Sequence, residues 1–344
     1  MDDIYADALE TVLRDHCTPA VVRAIEAGDA PVAAALWAQL DASGFADSLL
    51  PDAGLTLRDI LPMLLVIGQY AIPLPLGQTM FARAVLHAAG VAIPDGPVAL
   101  ASFGQQGRAR VADGATASWF LTQQAGRAWL LHRDAAKVAP TGVHGDLTVS
   151  IASPPGPGFD LAPGTLQTIG AALHAAQMAG AIARVFDLTL QYANDRVQFG
   201  RPVGKFQAIQ HQISVMAEQV AATRMAAQIA FSAEGPTPHR MHAAIAKFGA
   251  SDAVTPVTSM AHAVHGAIGI TAEYDLQLYT RRLHAWRVAD GSEQYWAREI
   301  GQVACEASGG AEAGTGTGAG TGAVDIIRAW SGEAMQHPVD PAVA

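Results

Sequence analysis

Charge is what this sequence most lacks: Asp, Glu, Lys and Arg make up 15% of its 344 residues, against roughly 25% in ordinary soluble proteins. Half of the residues are hydrophobic. A chain so poor in charge hides much of its surface, in its own core or against other subunits, and oligomerisation is the expectation. Positive charge is the scarcer kind, with 21 Lys and Arg against 31 Asp and Glu. Without a basic run or an aromatic-interleaved Lys/Arg stripe, there is no face to neutralise phosphates, which excludes nucleic acid as a partner. Cys17 and Cys305 are the only cysteines, too few for a disulfide framework or a thiolate metal site. That usage fits a reducing cytoplasm. A long apolar run is also missing: Ile169–Ala183 is interrupted by His174 and followed by Arg184, and is shorter than the ~20 residues of a membrane span. It predicts a buried core helix, with no membrane partner. The opening Met1-Asp2-Asp3-Ile4 is acidic where a signal peptide is basic.

What is present changes texture twice. Residues 1–93 read as an N-terminal helical domain, with apolar residues at three- and four-residue steps over Asp7–Arg14, Pro31–Leu40, Leu57–Gln69 and Met80–Ala89. Residues 94–158 read as a small, reduced β domain with a linker. Its strand-like runs are Val98–Phe103, Trp119–Thr122, Ala128–Leu131 and Leu147–Ser150, and Gly, Asp and Gln clusters between them predict antiparallel pairing. Pro154-Pro155-Gly156-Pro157-Gly158 predicts a rigid linker. Residues 159–308 return to helix, with two long stripes that describe a four-helix bundle. One is Leu166, Ile169, Leu173, Ala176, Gly180, Ala183, Phe186 and Leu190; the other is Phe206, Ile209, Ile213, Met216, Val220, Thr223, Ala227 and Ala230. Both predict core. Residues 309–344 read as a Gly/Thr-rich linker, Gly309–Gly322, and a tail with a short peripheral helix over Val324–Met335. The linker has no phosphate-loop spacing. The fold class expected is mainly α.

Two segments of the bundle resemble the acyl-CoA dehydrogenase family. Arg196-Val197-Gln198-Phe199-Gly200, running on to Phe206-Gln207, is similar to that family's Arg-x-x-Phe-Gly turn and the helix start after it. His265-Gly266-Ala267-Ile268-Gly269 resembles its Gly-Gly-x-Gly segment, and Asp290-Gly291-Ser292-Glu293-Gln294 its catalytic turn. Together with Glu273 and Arg281-Arg282 these cover most of residues 165–306 at the family's spacing. The resemblance implies the same order of helical, β and bundle domains. It also implies flavin adenine dinucleotide (FAD) at a subunit interface, an acyl-CoA substrate oxidised to the 2,3-enoyl-CoA, and electron-transfer flavoprotein as acceptor.

Residue by residue, the resemblance places Arg196 on the dinucleotide of a neighbouring subunit, where a guanidinium can fork onto pyrophosphate oxygens. Gln198, Phe199 and Gln207 stand near it, and the alternative for Arg196 is a plain cap on the helix end. Gly266 and Gly269 allow a close approach of backbone to cofactor, or only tight helix packing. His265 falls among the cofactor contacts in a structural rather than a catalytic role. Asp290 occupies the place of the family's catalytic Glu, which removes the α proton. It also reads, with Glu293, as a D-x-x-E helix cap. Gly291 falls at the substrate, while Ser292 and Gln294 match positions that contact the flavin. The other helix position from which family members supply the base is Gly170 here, which carries no carboxylate.

Departures from the family shape the expectation. Asp290 is one methylene shorter than Glu, Ala263 and Ala267 replace a polar residue and a glycine, and Leu100–Gly107 lacks the family's Thr-Glu-Pro-x-x-Gly-Ser-like strand. They imply a subunit that shares its FAD sites with a larger homologous partner in a mixed tetramer, as in heteromeric enzymes acting on sterol side chains. The alternatives are a self-sufficient homo-oligomer using Asp290, and a catalytically silent structural subunit.

Overall fold

A computed structural model describes residues 4–103, 107–152 and 158–312. Its first helices begin where side chains can take up the free backbone N–H groups of a helix start. Thr18 caps α2 (Pro19–Glu26), after α1 (Ile4–His16), and Asp29 caps α3 (Ala30–Ala42). Thr56 and Asp59 form a reciprocal capping box on α4 (Leu57–Gln69). Ile60, Met63, Leu64 and Ile67 follow at three- and four-residue steps and are fully buried, each contributing about 2 kcal/mol of hydrophobic stabilisation. After the Pro73-Leu74-Pro75 break, α5 (Leu76–Ala88) is buried along most of its length.

Seven strands follow: β1 (Val98–Ser102), β2 (Arg108–Val111), β3 (Trp119–Gln124), β4 (Arg127–His132), β5 (Ala139–Pro140), β6 (Val149–Ala152) and β7 (Phe159–Asp160). They form one sheet in the order β1-β3-β4-β7 and another in the order β2-β6-β5. The expectation of antiparallel pairing holds for β3–β4, whose two-residue turn Ala125-Gly126 has positive φ at both positions. It fails for β1 and β3, which are parallel. The chain leaves β1 for β2 in the other sheet before returning to β3, and that detour reverses the direction of re-entry. Ala99, Ala101 and Phe120 meet Ala109, Val111, Val149 and Ile151 in a core between the two sheets.

The bundle comprises α6 (Thr165–Asp195), α7 (Gln207–Ala230), α8 (Arg240–His265), α9 (Leu276–Val288) and α10 (Glu293–Glu312). α6 is buried on every side from Thr168 to Ile182, not along one stripe as the sequence suggests. Its small residues permit this. A Cβ at Gly180 would overlap the Leu65 carbonyl, and one at Gly68 on α4 would overlap the Gln177 carbonyl. Backbones therefore touch where side chains would hold them apart. By length and composition α6 could cross a membrane, yet 83% of its apolar window is buried inside the fold. The α7 stripe is less core-like than its spacing predicts, since Ile209, Ile213 and Val220 stay half-buried; on α6, Leu190 is exposed.

Part of the Gly309–Gly322 stretch continues α10 as far as Glu312, where the sequence suggests a linker. Its remainder, the Val324–Met335 segment and Pro154–Pro157 lie outside the described residues.

Candidate functional site

α6 runs 31 residues, about 46 Å at 1.5 Å per residue, and the predicted site residues gather at its two ends. At its C-terminus Arg196 leaves the helix while its backbone N–H still bonds to the Tyr192 carbonyl. The chain then makes a small hairpin, β8 (Val197–Gln198) with β9 (Arg201–Pro202). Phe199 and Gly200 form the turn, both at positive φ. Phe199 is 92% exposed, an unusual setting for a large apolar ring that also carries a left-handed backbone. Arg196, Gln198 and Gln207 are exposed as well. The Arg201 guanidinium lies 4.2 Å over the Phe206 ring, whereas the Arg196 guanidinium has no ion pair or hydrogen bond among the described residues. Arg196 is thus a backbone cap and a free cation at once.

The end of α8 closes this face. Tyr192 stacks on His265 with ring centroids 4.5 Å apart. The His265 ring is 3% exposed, with Nδ1 2.7 Å from the Ala261 carbonyl and Nε2 3.2 Å from the Tyr274 hydroxyl. The His265 side chain is thus engaged within the fold. Gly266 follows at φ 63° and ψ −145°, a conformation only glycine adopts readily, with open space where a Cβ would stand. Gly269, by contrast, is buried against His262, His265 and Leu276. An unpaired guanidinium at the same end of α6 as two open glycines, Gly200 and Gly266, suits an anionic dinucleotide. The residues present fit FAD at this end.

The other end of α6 holds the second group. Asp290 lies between α9 and α10 at φ 52°, followed by Gly291 at φ 107°. The Asp290 carbonyl accepts from Trp296 Nε1 at 3.1 Å. Its carboxylate turns inward: Oδ2 is 3.0 Å from Nδ1 of His174, and the group fills the space a Cβ on Gly170 would need. The D-x-x-E cap expected here does not form. Ser292 Oγ accepts from the Tyr295 N–H at 3.4 Å, and Glu293 pairs with Arg287 instead. That pairing holds the Glu293 carboxyl below its usual range. Gln294 faces solvent on the first turn of α10.

Beneath the Asp290 turn lies Lys247 of α8, fully buried. Its Nζ donates to the carbonyls of Trp286 (3.0 Å), Arg287 (2.8 Å) and Gly291 (3.1 Å), and to Ser251 Oγ (3.0 Å). Burial pulls its pKa down to about 7, with the charges of Asp290 and Glu293 opposing the shift. The ammonium ties the last turn of α9 to the residue after Asp290. Beside it, Trp286 Nε1 donates to Asp113 at 3.4 Å, and Arg282 donates to Asp113 at 2.9 Å and to Glu26 at 2.9 Å. Burial pushes the Asp113 carboxyl up, with Arg282 and then His174 opposing.

Sequence reasoning missed His174, Lys247 and the true place of Gly170. A signal existed for Lys247, since it lies three or four residues from Ala243, Ala244, Ala250 and Ser251 on one buried helical face. His174 registered only as an interruption of an apolar run. The predicted residues do not form one site: Gly170 and Arg196 are about 39 Å apart along α6, farther than one dinucleotide bridges.

Comparison with known proteins places these ends in context. The model of the family "Acyl-CoA dehydrogenase, C-terminal domain" matches residues 156–305. Acyl-CoA dehydrogenase IpdE2 of Mycolicibacterium smegmatis is 30% identical over 305 residues, 82% of this chain and 92% of the relative. Among solved structures, a variant of the Tcur3481-Tcur3483 steroid acyl-CoA dehydrogenase aligns with TM-score 0.77 and 22% identity, covering 90% of this chain and 99% of that one. The ChsE4-ChsE5 complex from Mycobacterium tuberculosis aligns with TM-score 0.74 and 20% identity, covering 89% and 98%.

Proposed function

The chain belongs to the acyl-CoA dehydrogenase family, oxidoreductases acting on CH–CH bonds, and on that premise we propose that it is one subunit of an oligomeric enzyme desaturating an acyl-CoA at bound FAD. Its partner is a homologous subunit in a mixed tetramer, and the acyl group is bulky and steroid-derived. Two solved neighbours support this reading, one a steroid acyl-CoA dehydrogenase and the other a two-component complex. The enzyme works in the cytoplasm and passes electrons to electron-transfer flavoprotein.

The distance between the ends of α6 carries the argument. A chain whose cation turn lies about 39 Å from its carboxylate contributes the two to different sites. Arg196 forks onto the pyrophosphate of a dinucleotide seated mainly on the neighbouring subunit. Gly200 and Gly266 let the backbone come close, and Phe199 packs against that neighbour. At the opposite end Asp290 removes the α proton of the thioester, with its turn held from below by Lys247. Bound flavin supplies the hydride acceptor for the β carbon.

Arg196→Ala in the co-expressed complex tests the clamp. Flavin absorbance per chain should fall several-fold while helical circular dichroism stays near wild type. Full flavin retention would reduce Arg196 to a helix cap. A second reading, in which this subunit only clamps flavin and the partner supplies the base, is favoured by the inward turn of the Asp290 carboxylate onto His174. Asp290→Asn separates the two: acyl-CoA-dependent flavin reduction is lost in the first and kept in the second.

A further inference from the structure

We propose that His174 is a positioning residue for Asp290, holding its carboxylate in the slot that Gly170 leaves open on α6. This rests on the reading of Asp290 as the proton acceptor.

Gly170 and His174 are one helical turn apart, so they share a face of α6. Glycine at the first position removes the Cβ that would collide with the carboxylate. The imidazole at the second closes the far side of the slot, with Nδ1 3.0 Å from Asp290 Oδ2. Aspartate reaches less far than the family's glutamate, and the slot meets the difference from the other side, with the backbone of α6 lying against the shorter side chain. The positive φ of Asp290 and Gly291 turns the carboxylate inward toward it.

The condition of His174 points to more than packing. Its side chain is 2% exposed, yet neither ring nitrogen makes an aligned hydrogen bond among the described residues. Buried polar groups in native folds nearly always find such partners. A close but poorly aligned pair of this kind is common at catalytic groups, where alignment tightens as the reacting ligand arrives. The charged groups around the ring come from three directions: Asp290 from the α9–α10 turn, Asp113 from the β region, and Lys247 of α8 behind Asp290. Arg282 of α9 neutralises Asp113, and Lys247 is engaged with backbone carbonyls and Ser251. Asp290 is left as the carboxylate within ion-pair distance of His174. Trp286, with its ring centroid 6.3 Å from the imidazole, walls the site with apolar surface that strengthens the pairing.

The test uses the co-expressed, flavin-loaded complex with His174→Leu and His174→Gln beside Asp290→Asn. In His174→Leu, kcat for acyl-CoA-dependent flavin reduction should fall about ten- to a hundred-fold, as for small misplacements of a reacting group. KM and flavin content should stay near wild type, and the acid limb of the pH profile should move to higher pH. His174→Gln keeps a donor and should recover much of the rate. A double-mutant cycle on Tm between His174→Gln and Asp290→Asn should be non-additive. Additive Tm changes, or equal rate losses in Leu and Gln with an unmoved pH limb, would overturn the positioning role. Undiminished flavin reduction in Asp290→Asn would instead overturn the reading of Asp290 itself, whatever the histidine variants do.

Discussion

Asp290 and Gly170, 120 positions apart in the chain, occupy each other's space: the carboxylate of one stands where the other would carry a Cβ. These are the two positions from which a proton-removing carboxylate is expected by resemblance to the family, and here the empty one is the seat of the filled one.

Gly170→Ala therefore sets two effects against each other. Alanine in a helix interior is favoured over glycine by about 1 kcal/mol. Driving a methyl into a filled slot costs about 1–3 kcal/mol. The overlap is with a carboxylate whose turn is fixed by Lys247 and Trp296, so the cost should win. We expect a lower Tm and a displaced Asp290, with flavin content unchanged. A raised Tm would mean that the turn yields freely.

Lys247 gives a pH dependence with a definite sign. Its folded pKa of about 7 lies below the ordinary 10.5, so between those values the unfolded chain binds more protons. Stability from this group therefore rises with pH across that window, and the burial penalty is present in full below pH 7. Between pH 7 and 9 the gain is on the order of 2 kcal/mol. Above pH 9 the buried Cys17 thiol, pushed up to about 12, works in the opposite direction. Melting curves of wild type and Lys247→Met from pH 7 to 9 should show the wild-type rise flattened in the variant. Parallel curves would show that the lysine does not titrate there.

Arg282→Leu should be among the most damaging single changes at the Asp290 end of α6. Its guanidinium joins Asp113 and Glu26, all three side chains at most 5% exposed. Removing one partner from a buried pair costs about 3–5 kcal/mol. The Asp113 carboxyl is already pushed above its ordinary 3.8, so the folded state holds its proton more tightly than the unfolded state. The deficit of the variant should therefore shrink as pH falls toward that range. Chemical denaturation at pH 7 and pH 5 measures it, and an equal deficit at both would count against the buried charge as the cause.

Local chemistry was legible in the sequence. The apolar steps over Pro31–Leu40 and Leu57–Gln69 predict α3 and α4, whose contacts lie within a few residues. The Arg196–Gly200 turn was legible through its resemblance to the family's Arg-x-x-Phe-Gly turn. Strand direction was not, because β1 and β3 pair across a detour whose length says nothing about its hand.

The sequence by itself determined the order of helical, β and bundle regions, because periodicity and turn residues act over one or two helical turns, and its motifs carried the resemblance to the family. Only the tertiary structure decided what surrounds Asp290. Its neighbours in the chain offered a helix cap, but its neighbours in space are Gly170, His174 and, beneath its turn, Lys247, brought there from α6 and α8 by packing. The fold also decided how far apart Arg196 and Asp290 stand. Their motifs are read one after the other along the chain, yet Arg196 follows the C-terminal end of α6 while Asp290 lies against Gly170 near its start, and a helix advances along its axis with every residue, so positions far apart in it stay far apart in space.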